Sequence, residues 1–494
     1  MKLGFAAALA AFSIVAQGQE LVMTPALTAS ARALTGDIYA NGQSYELLAE
    51  PTDDLGPRLS GSANYERSVR WAVDKFHAMG IRDVRLQPVE LRHGWQRGSA
   101  LAVLLGESPR VLHVAAYGWS PPTPKGGLRA RVAPLTDTTD AAIAAANVGG
   151  AIVLVDRQAI TGPAAFHLEG AEAFARERRS ETLDRRLRDA GARALLVYST
   201  TLNQVLRTSD PGEHGEALAV PYGTLGREDA LLLLRQSTKG AVEIELHLDT
   251  IIGGAITVNS VIAEIPGRER ADEVVMIGAH LDSWDLGTGA QDNGSGAAEV
   301  LDAARALAAL PLAPRRTLRF ALWASEEQGL NGSNAYVRAH GAEMKQFVAY
   351  LNSDTGSGRP LGWNVVGRED VAGALRRLGP MFARIGGSAT TKEIEFDTDT
   401  CAFFIAGVPV LDLNVVDDDY DSVVHHKPGD TFDKVDAHNL AAGTAMLTVA
   451  AYAFAEAEQR PAKRLSWSEV QALLRDDGAL DYVLTSELKD LWHE

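Results

Sequence analysis

Several short runs in the second half of the chain carry residues able to bind a metal or move a proton. Each lies just beyond an apolar, strand-like segment. His280-Leu-Asp282 follows Val274–Ala279, and Ser325-Glu326-Glu327 follows Thr317–Ala324. Ser353-Asp354 follows Phe347–Asn352, and a loop with His425-His426-Lys-Pro-Gly-Asp430 follows Pro409–Val415. Gln291-Asp292-Asn293-Gly294 sits between the first of these strands and the next helix. Imidazole with carboxylate is a donor mix that suits Zn²⁺. Five candidate ligands, His280, Asp292, Glu327, Asp354 and His426, exceed the needs of one tetrahedral ion. They fit two zinc ions roughly 3.5–4 Å apart, as in dinuclear hydrolases. One carboxylate must then bridge, and Asp292, on a tight Gly-flanked turn, is best placed. Asp282, two residues beyond His280, is placed to accept the imidazole's other N–H. Neighbouring residues at a strand end point to different sides, which leaves Glu326 free as a general base.

Each fragment has an ordinary reading when taken singly. Asp-Asn-Gly is a turn signal, Glu326-Glu327 a solvated pair, Asp354 a cap, and His425-His426 a surface pair. Their shared position at strand ends is what points to chemistry. In open parallel sheets, ligands bind beyond the carboxyl ends of the strands.

The elements that must position these groups alternate. Strands at Val274–Ala279, Thr317–Ala324, Phe347–Asn352 and Pro409–Val415 are interleaved with helices at Ser295–Leu310, Gly332–His340 and Asn439–Ala457. That pattern predicts a mostly parallel, doubly wound α/β sheet. An early helix near Tyr65–Met79 and a strand at Val84–Leu91 belong with it. Between residues 105 and 255 the chain changes to short β-like runs broken by Pro/Gly turns and one long charged helix near Gly170–Ala190, which reads as an inserted β-rich module. The predicted organisation is a signal peptide (1–18), a first catalytic part (19–104), the insert (105–255), a second catalytic part with the zinc site (256–460) and a C-terminal helical appendage (461–494).

Composition narrows the classes further. The chain has 494 residues, too many for one ordinary core. Its 47 Lys and Arg against 64 Asp and Glu give a net charge of −17, which argues against nucleic acid as a partner. With one cysteine, Cys401, no intramolecular disulfide is possible. Met1–Ala16 has a basic start and an apolar run, with Ala16-Gln17-Gly18 as a cleavage pattern. The run is shorter than the ~20 residues of a membrane span. The expectation is an exported protein, periplasmic or secreted, with no membrane contact after signal removal.

These residues resemble the co-catalytic zinc peptidases of the aminopeptidase and glutamate carboxypeptidase type. The stretches that carry the likeness are Gly278-Ala-His-Leu-Asp-Ser-Trp-Asp285, Gln291–Gly294, Arg316–Trp323, Ser325-Glu-Glu-Gln-Gly329, Ser353-Asp-Thr-Gly356, Ala406-Gly-Val-Pro409, His425–Thr431 and Gly56–Ser62. The likeness runs from about residue 42 to 458. It implies a zinc exopeptidase fold with an inserted protease-associated domain partly covering the site. It implies His280, Asp292 and Asp354 on one zinc and Glu327, Asp292 and His426 on the other, with Glu326 as base and Asp282 behind His280. The family's ligand histidine stands four residues before a motif aspartate, which selects His426 over His425. His425 occupies the place of a tyrosine that stabilises the tetrahedral intermediate in several relatives. The implied substrates are dipeptides or short peptides, and the implied assembly is a homodimer. The alternatives are an aminopeptidase on longer peptides, a glutaminyl cyclase-like acyl transferase, or a non-catalytic binding relative.

Overall fold

The computed structural model describes residues 21–161, 170–198, 201–209, 212 and 214–493. The expected signal peptide lies outside the described residues.

Two eight-stranded sheets organise the chain. In the first, the strands Arg316–Trp323, Arg270–His280, Phe347–Asn352 and Val410–Val415 are consecutive neighbours, and all three pairings between them are parallel. Their carboxyl ends therefore share one edge. Registers such as His280 with Trp323, Gly278 with Asn352 and Asn352 with Asp412 keep those ends level. The flanks differ from the expectation of a mostly parallel sheet. Asp83–Leu91 pairs antiparallel with Ile256–Ile265, which pairs antiparallel with Arg316–Trp323. Pro360–Asn364 runs antiparallel to Val410–Val415 and carries the short edge strand Ala389–Thr391. The sheet is mixed, with a parallel centre. Helical connections impose parallel pairing at the centre, whereas the outer strands arrive by other routes and are free to reverse.

The strand Arg270–His280 shows how the sheet is buried on both sides. Val275, Ile277 and Ala279 enter one apolar cluster, while Val274 and Met276 enter another. This is the period-two alternation of a strand covered on both faces. Helices Ser295–Ala308 and Ala437–Glu456 fill the first side, and Asn331–Ala339 and Thr400–Ile405 the second. Helix Ala63–Ala78 begins where Ser62 accepts a hydrogen bond from the Tyr65 amide.

The second sheet takes its strands from Ala100–Leu104 through Glu243–Leu248, between the two sequence portions of the first. Its first strand lies before residue 105, so the change of sheet comes earlier than the sequence pattern suggests. It is also not simply β-rich. Leu128–Leu135, Ile152–Asp156, Ala194–Tyr198 and Tyr222–Leu225 are mutually parallel neighbours. Helices Asp140–Ala145, Leu183–Asp189 and Arg227–Ser237 lie among them. Three of these four strands are apolar runs of only four or five residues, which hid this α/β character. The single long helix expected near 170–190 is two, Gly170–Ser180 and Leu183–Asp189. The chain ends in helices Trp467–Asp477, Leu480–Thr485 and Glu487–Leu491. No helix among the described residues is long and apolar enough to cross a membrane.

Candidate metal centre

All the residues singled out from the sequence converge on the carboxyl edge of the first sheet. His280 ends its strand and is buried. Its Nε2 lies 2.9 Å from Asp354 Oδ1 and 3.4 Å from Asp292 Oδ1. Across the site, His426 Nε2 lies 2.9 Å from Glu327 Oε2 and 3.6 Å from Asp292 Oδ2. The two oxygens of Asp292 thus face two different histidine–carboxylate pairs. Asp292 Oδ2 is buried without a hydrogen-bond partner, the mark of a group built for something other than protein contacts. Two overlapping groups have ligand atoms close enough for a shared ion: His280, Asp292 and Asp354, and Asp292, His425 and His426. The donor set, imidazole with carboxylate, fits zinc.

The electrostatics say the same. Burial is the largest influence on Glu326 and Glu327 and pushes both carboxyls well above the usual range, with Asp354 and Asp292 among the neighbours that add to it. Burial likewise raises Asp354. Burial would depress His280, but Asp354 and Glu326 outweigh it and hold the imidazole well above its ordinary value. Carboxylates crowded in a dry site call for a cation between them. Glu326 Oε2 stands 3.9 Å from His280 Nε2, facing the same space.

Asp282 is placed differently from the sequence expectation. His280 Nδ1 is 3.0 Å from the Asp282 main-chain oxygen and 3.6 Å from its carboxylate. The Asp282 carboxylate instead accepts from the Glu326 amide at 3.2 Å. It therefore ties the Glu326 loop to the histidine's strand. His425 packs against His426 with ring centroids 3.9 Å apart and stacks on Tyr420 at 5.3 Å. Burial lowers its pKa well below the ordinary value, so it is a neutral imidazole.

Several positioning residues carried weaker sequence signals. Arg58 is fully buried and donates to the carbonyls of Leu281, Thr288 and Gly289 at 2.8, 2.9 and 2.6 Å. It joins the loops that carry Asp282 and Asp292, and burial pushes its pKa down to about 10. It lies in the Gly56–Ser62 turn, which was legible as a motif but not as a brace. Asp430 accepts from the amides of Gln291 and Asp292 at 2.7 and 3.3 Å. Asn293 and Thr398 hold the two oxygens of Asp354 at 2.8 and 3.0 Å. Arg207, 4% exposed, comes from the second-sheet unit and reaches His425 Nδ1 at 3.2 Å. The next residue, Thr208, donates its amide to the His426 carbonyl at 3.0 Å. Nothing in the sequence pairs residues more than two hundred positions apart.

Residues 260–453, which contain every one of the five candidate ligands, match peptidase family M28. By this stretch the chain is recognised as a relative of the M28 peptidases. Carboxypeptidase Q of Homo sapiens is 29% identical over 426 residues, covering 85% of this chain and 87% of that protein. The crystal structure of a peptidase M28 precursor from Shewanella amazonensis SB2B superposes with a TM-score of 0.78 at 29% identity, covering 89% of this chain and 99% of that one. The zinc aminopeptidase of Bacillus subtilis shares the fold, with a TM-score of 0.66 at 21% identity over 86% of this chain and 97% of its own. With this match and carboxypeptidase and aminopeptidase relatives, the chain is a metallo-exopeptidase.

Proposed function

We propose that this M28 peptidase is a dinuclear zinc exopeptidase acting on dipeptides or short peptides, exported under the direction of residues 1–18. The observation that carries the reading is Asp292, whose two oxygens each face one histidine–carboxylate pair. His280, Asp292 and Asp354 hold one zinc, and Asp292, Glu327 and His426 the other. Two zinc ions in that cradle supply Lewis acidity, which lowers the pKa of water toward neutrality and polarises a carbonyl.

The protein's own groups do the rest. Glu326 takes a proton from the attacking water and returns it to the nitrogen of the leaving amine, so one peptide bond and one water become a carboxylic acid and an amine, which ionise to carboxylate and ammonium. The Asp282 carboxylate keeps the Glu326 backbone in place. Neutral His425 donates to the oxygen on which charge develops. The second-sheet unit is the protease-associated domain of this family. Supporting that role, its Thr208 docks on the His426 backbone and its Trp119 packs edge-on against Trp284, with ring centroids 6.5 Å apart. It covers the site and keeps bulk water from it.

The test compares free dipeptides, N-blocked dipeptides and longer peptides as substrates, each with and without a chelator. The reading predicts chelator-sensitive cleavage with a preference for free dipeptides and short peptides. Preferred cleavage of long peptides from the amino end makes the enzyme an aminopeptidase instead, and chelator-resistant cleavage removes the zinc reading.

A further inference from the structure

The chain beyond residue 460 takes no part in the site described above, yet it touches every unit that builds it. On the first-sheet side it is firmly held. The Leu465 amide donates to the Gly407 carbonyl at 2.8 Å, and Arg464 Nε donates to the Ala406 carbonyl at 2.8 Å. Val470, Leu474, Val483 and Leu491 are buried in the cluster that contains Tyr336 and Phe403. Arg338 of helix Asn331–Ala339 pairs with Glu487 at 2.8 Å.

The same short segment also grips the second-sheet unit. Phe174 of helix Gly170–Ser180 packs on Tyr482 with ring centroids 5.0 Å apart. Arg178, one turn on, lies over the Tyr482 ring at 5.4 Å, donates to the Tyr482 carbonyl at 3.2 Å and bonds the Thr485 hydroxyl. Glu487, already paired with Arg338, binds His214 Nε2 with its other oxygen.

His214 is the link to the chemistry. Its amide donates to the Gln328 carbonyl at 2.7 Å, and its Nδ1 meets the Asn331 side chain. Asn331 in turn donates to the same Gln328 carbonyl at 2.7 Å, and the Gln328 side chain accepts from Ser325 Oγ at 2.9 Å. Ser325 and Gln328 bracket Glu326 and Glu327. His214 and Ser325 both adopt left-handed backbone, with φ of 47° and 57°. Non-glycine residues hold that conformation only where their surroundings enforce it. Glu487 supplies such a constraint from outside both sheets.

We propose that residues 461–493 form a clasp that fixes the second-sheet unit against the loop bearing Glu326 and Glu327, with Glu487 as a positioning residue that acts through His214. The kinetic arm of this proposal rests on the exopeptidase reading; its structural arm does not. A one-ångström misplacement of a reacting group can cost about a hundredfold in rate. A loosened clasp therefore registers in turnover before it registers in substrate or metal binding.

The experiment uses the full zinc-loaded chain, its Glu487→Ala and Glu487→Gln variants, and Arg178→Ala as an independent break of the same clasp. Hydrogen–deuterium exchange is read in peptides covering 203–217 and 325–331, beside kcat, KM and zinc content on a free dipeptide. Glu487→Ala is expected to speed exchange in both segments by about tenfold and to lower kcat by about tenfold, with KM and zinc content within about twofold. Glu487→Gln, which still accepts from His214, is expected to stay near the parent in both readouts. Arg178→Ala is expected to speed exchange in 203–217. Unchanged exchange in both segments, exchange that rises evenly along the chain, or a Gln variant as impaired as the Ala variant would each overturn the clasp. The local exchange pattern without any peptide hydrolysis in the parent would uphold the clasp and overturn the exopeptidase reading.

Discussion

At the scale of single residues, the account turns on neighbouring carboxylates given different work. Glu327 faces His426, while Glu326 faces the space beside His280. Adjacent residues at a strand end diverge, so in the proposed function one side chain is a ligand and the other is left to move a proton. Glu326→Gln removes the proton acceptor but keeps the volume. It is expected to retain both zinc ions and lose turnover by at least about a hundredfold, read by elemental analysis and steady-state kinetics on one sample. The candidate ligands stand out in the sequence because they lie beyond apolar strands, with Asp292 between the first of these strands and its helix. The partners of those ligands stand out less. Asp282 was expected at the His280 imidazole, yet its carboxylate serves the Glu326 amide and its carbonyl meets the imidazole. A two-residue spacing names the neighbours but does not say which atom of each makes the contact. Arg58 and Arg207 reach the site from distant sequence, and no local pattern announces a long-range brace.

At the scale of elements, four parallel strands set the site by ending at one edge, and close approach of the helix after Asp292 completes it. Gly296 allows that approach. A Cβ there would collide with Asn293 Oδ1 and the Ser353 carbonyl, the residues that seat Asp354. Gly296→Ala is expected to weaken zinc binding by at least about tenfold while leaving the far-ultraviolet spectrum unchanged, measured by competition with a chelating dye. The central strands and their helices were readable from period and length. The antiparallel flanks and the α/β nature of the second sheet were not, because strand direction is decided by long-range pairing rather than by local pattern. The clasp adds a pH signature. The hydrogen bond from His214, with Arg338 beside it, pulls the Glu487 carboxyl down to about 2 from its ordinary 4.5. A depressed carboxyl stabilises the fold above its ordinary pKa and loses that contribution as pH falls toward the folded value. The stability gap between the parent and Glu487→Ala is therefore expected to narrow from pH 4.5 down to about 2 in denaturant titrations at each pH.

At the scale of the whole molecule, the net charge of −17 has both a general and a local meaning. Much of it is solvated surface. Asp282, Asp292, Glu326, Glu327 and Asp354, however, are gathered at one sheet edge, where the two proposed Zn²⁺ would nearly balance them. On the proposed reading the fold depends on its ions in a way that its single buried cysteine cannot replace. Chelation is expected to lower the midpoint of thermal unfolding, and zinc at a hundredfold excess over its Kd to contribute about 3 kcal/mol of stability. The sharpest test is a titration of the chelated protein with Zn²⁺, followed by dipeptide hydrolysis and by bound metal per chain. The account predicts that activity rises to a plateau at two zinc ions per chain, and that Asp292→Ala never reaches it. Full activity at one zinc, or hydrolysis that persists without metal, would contradict it.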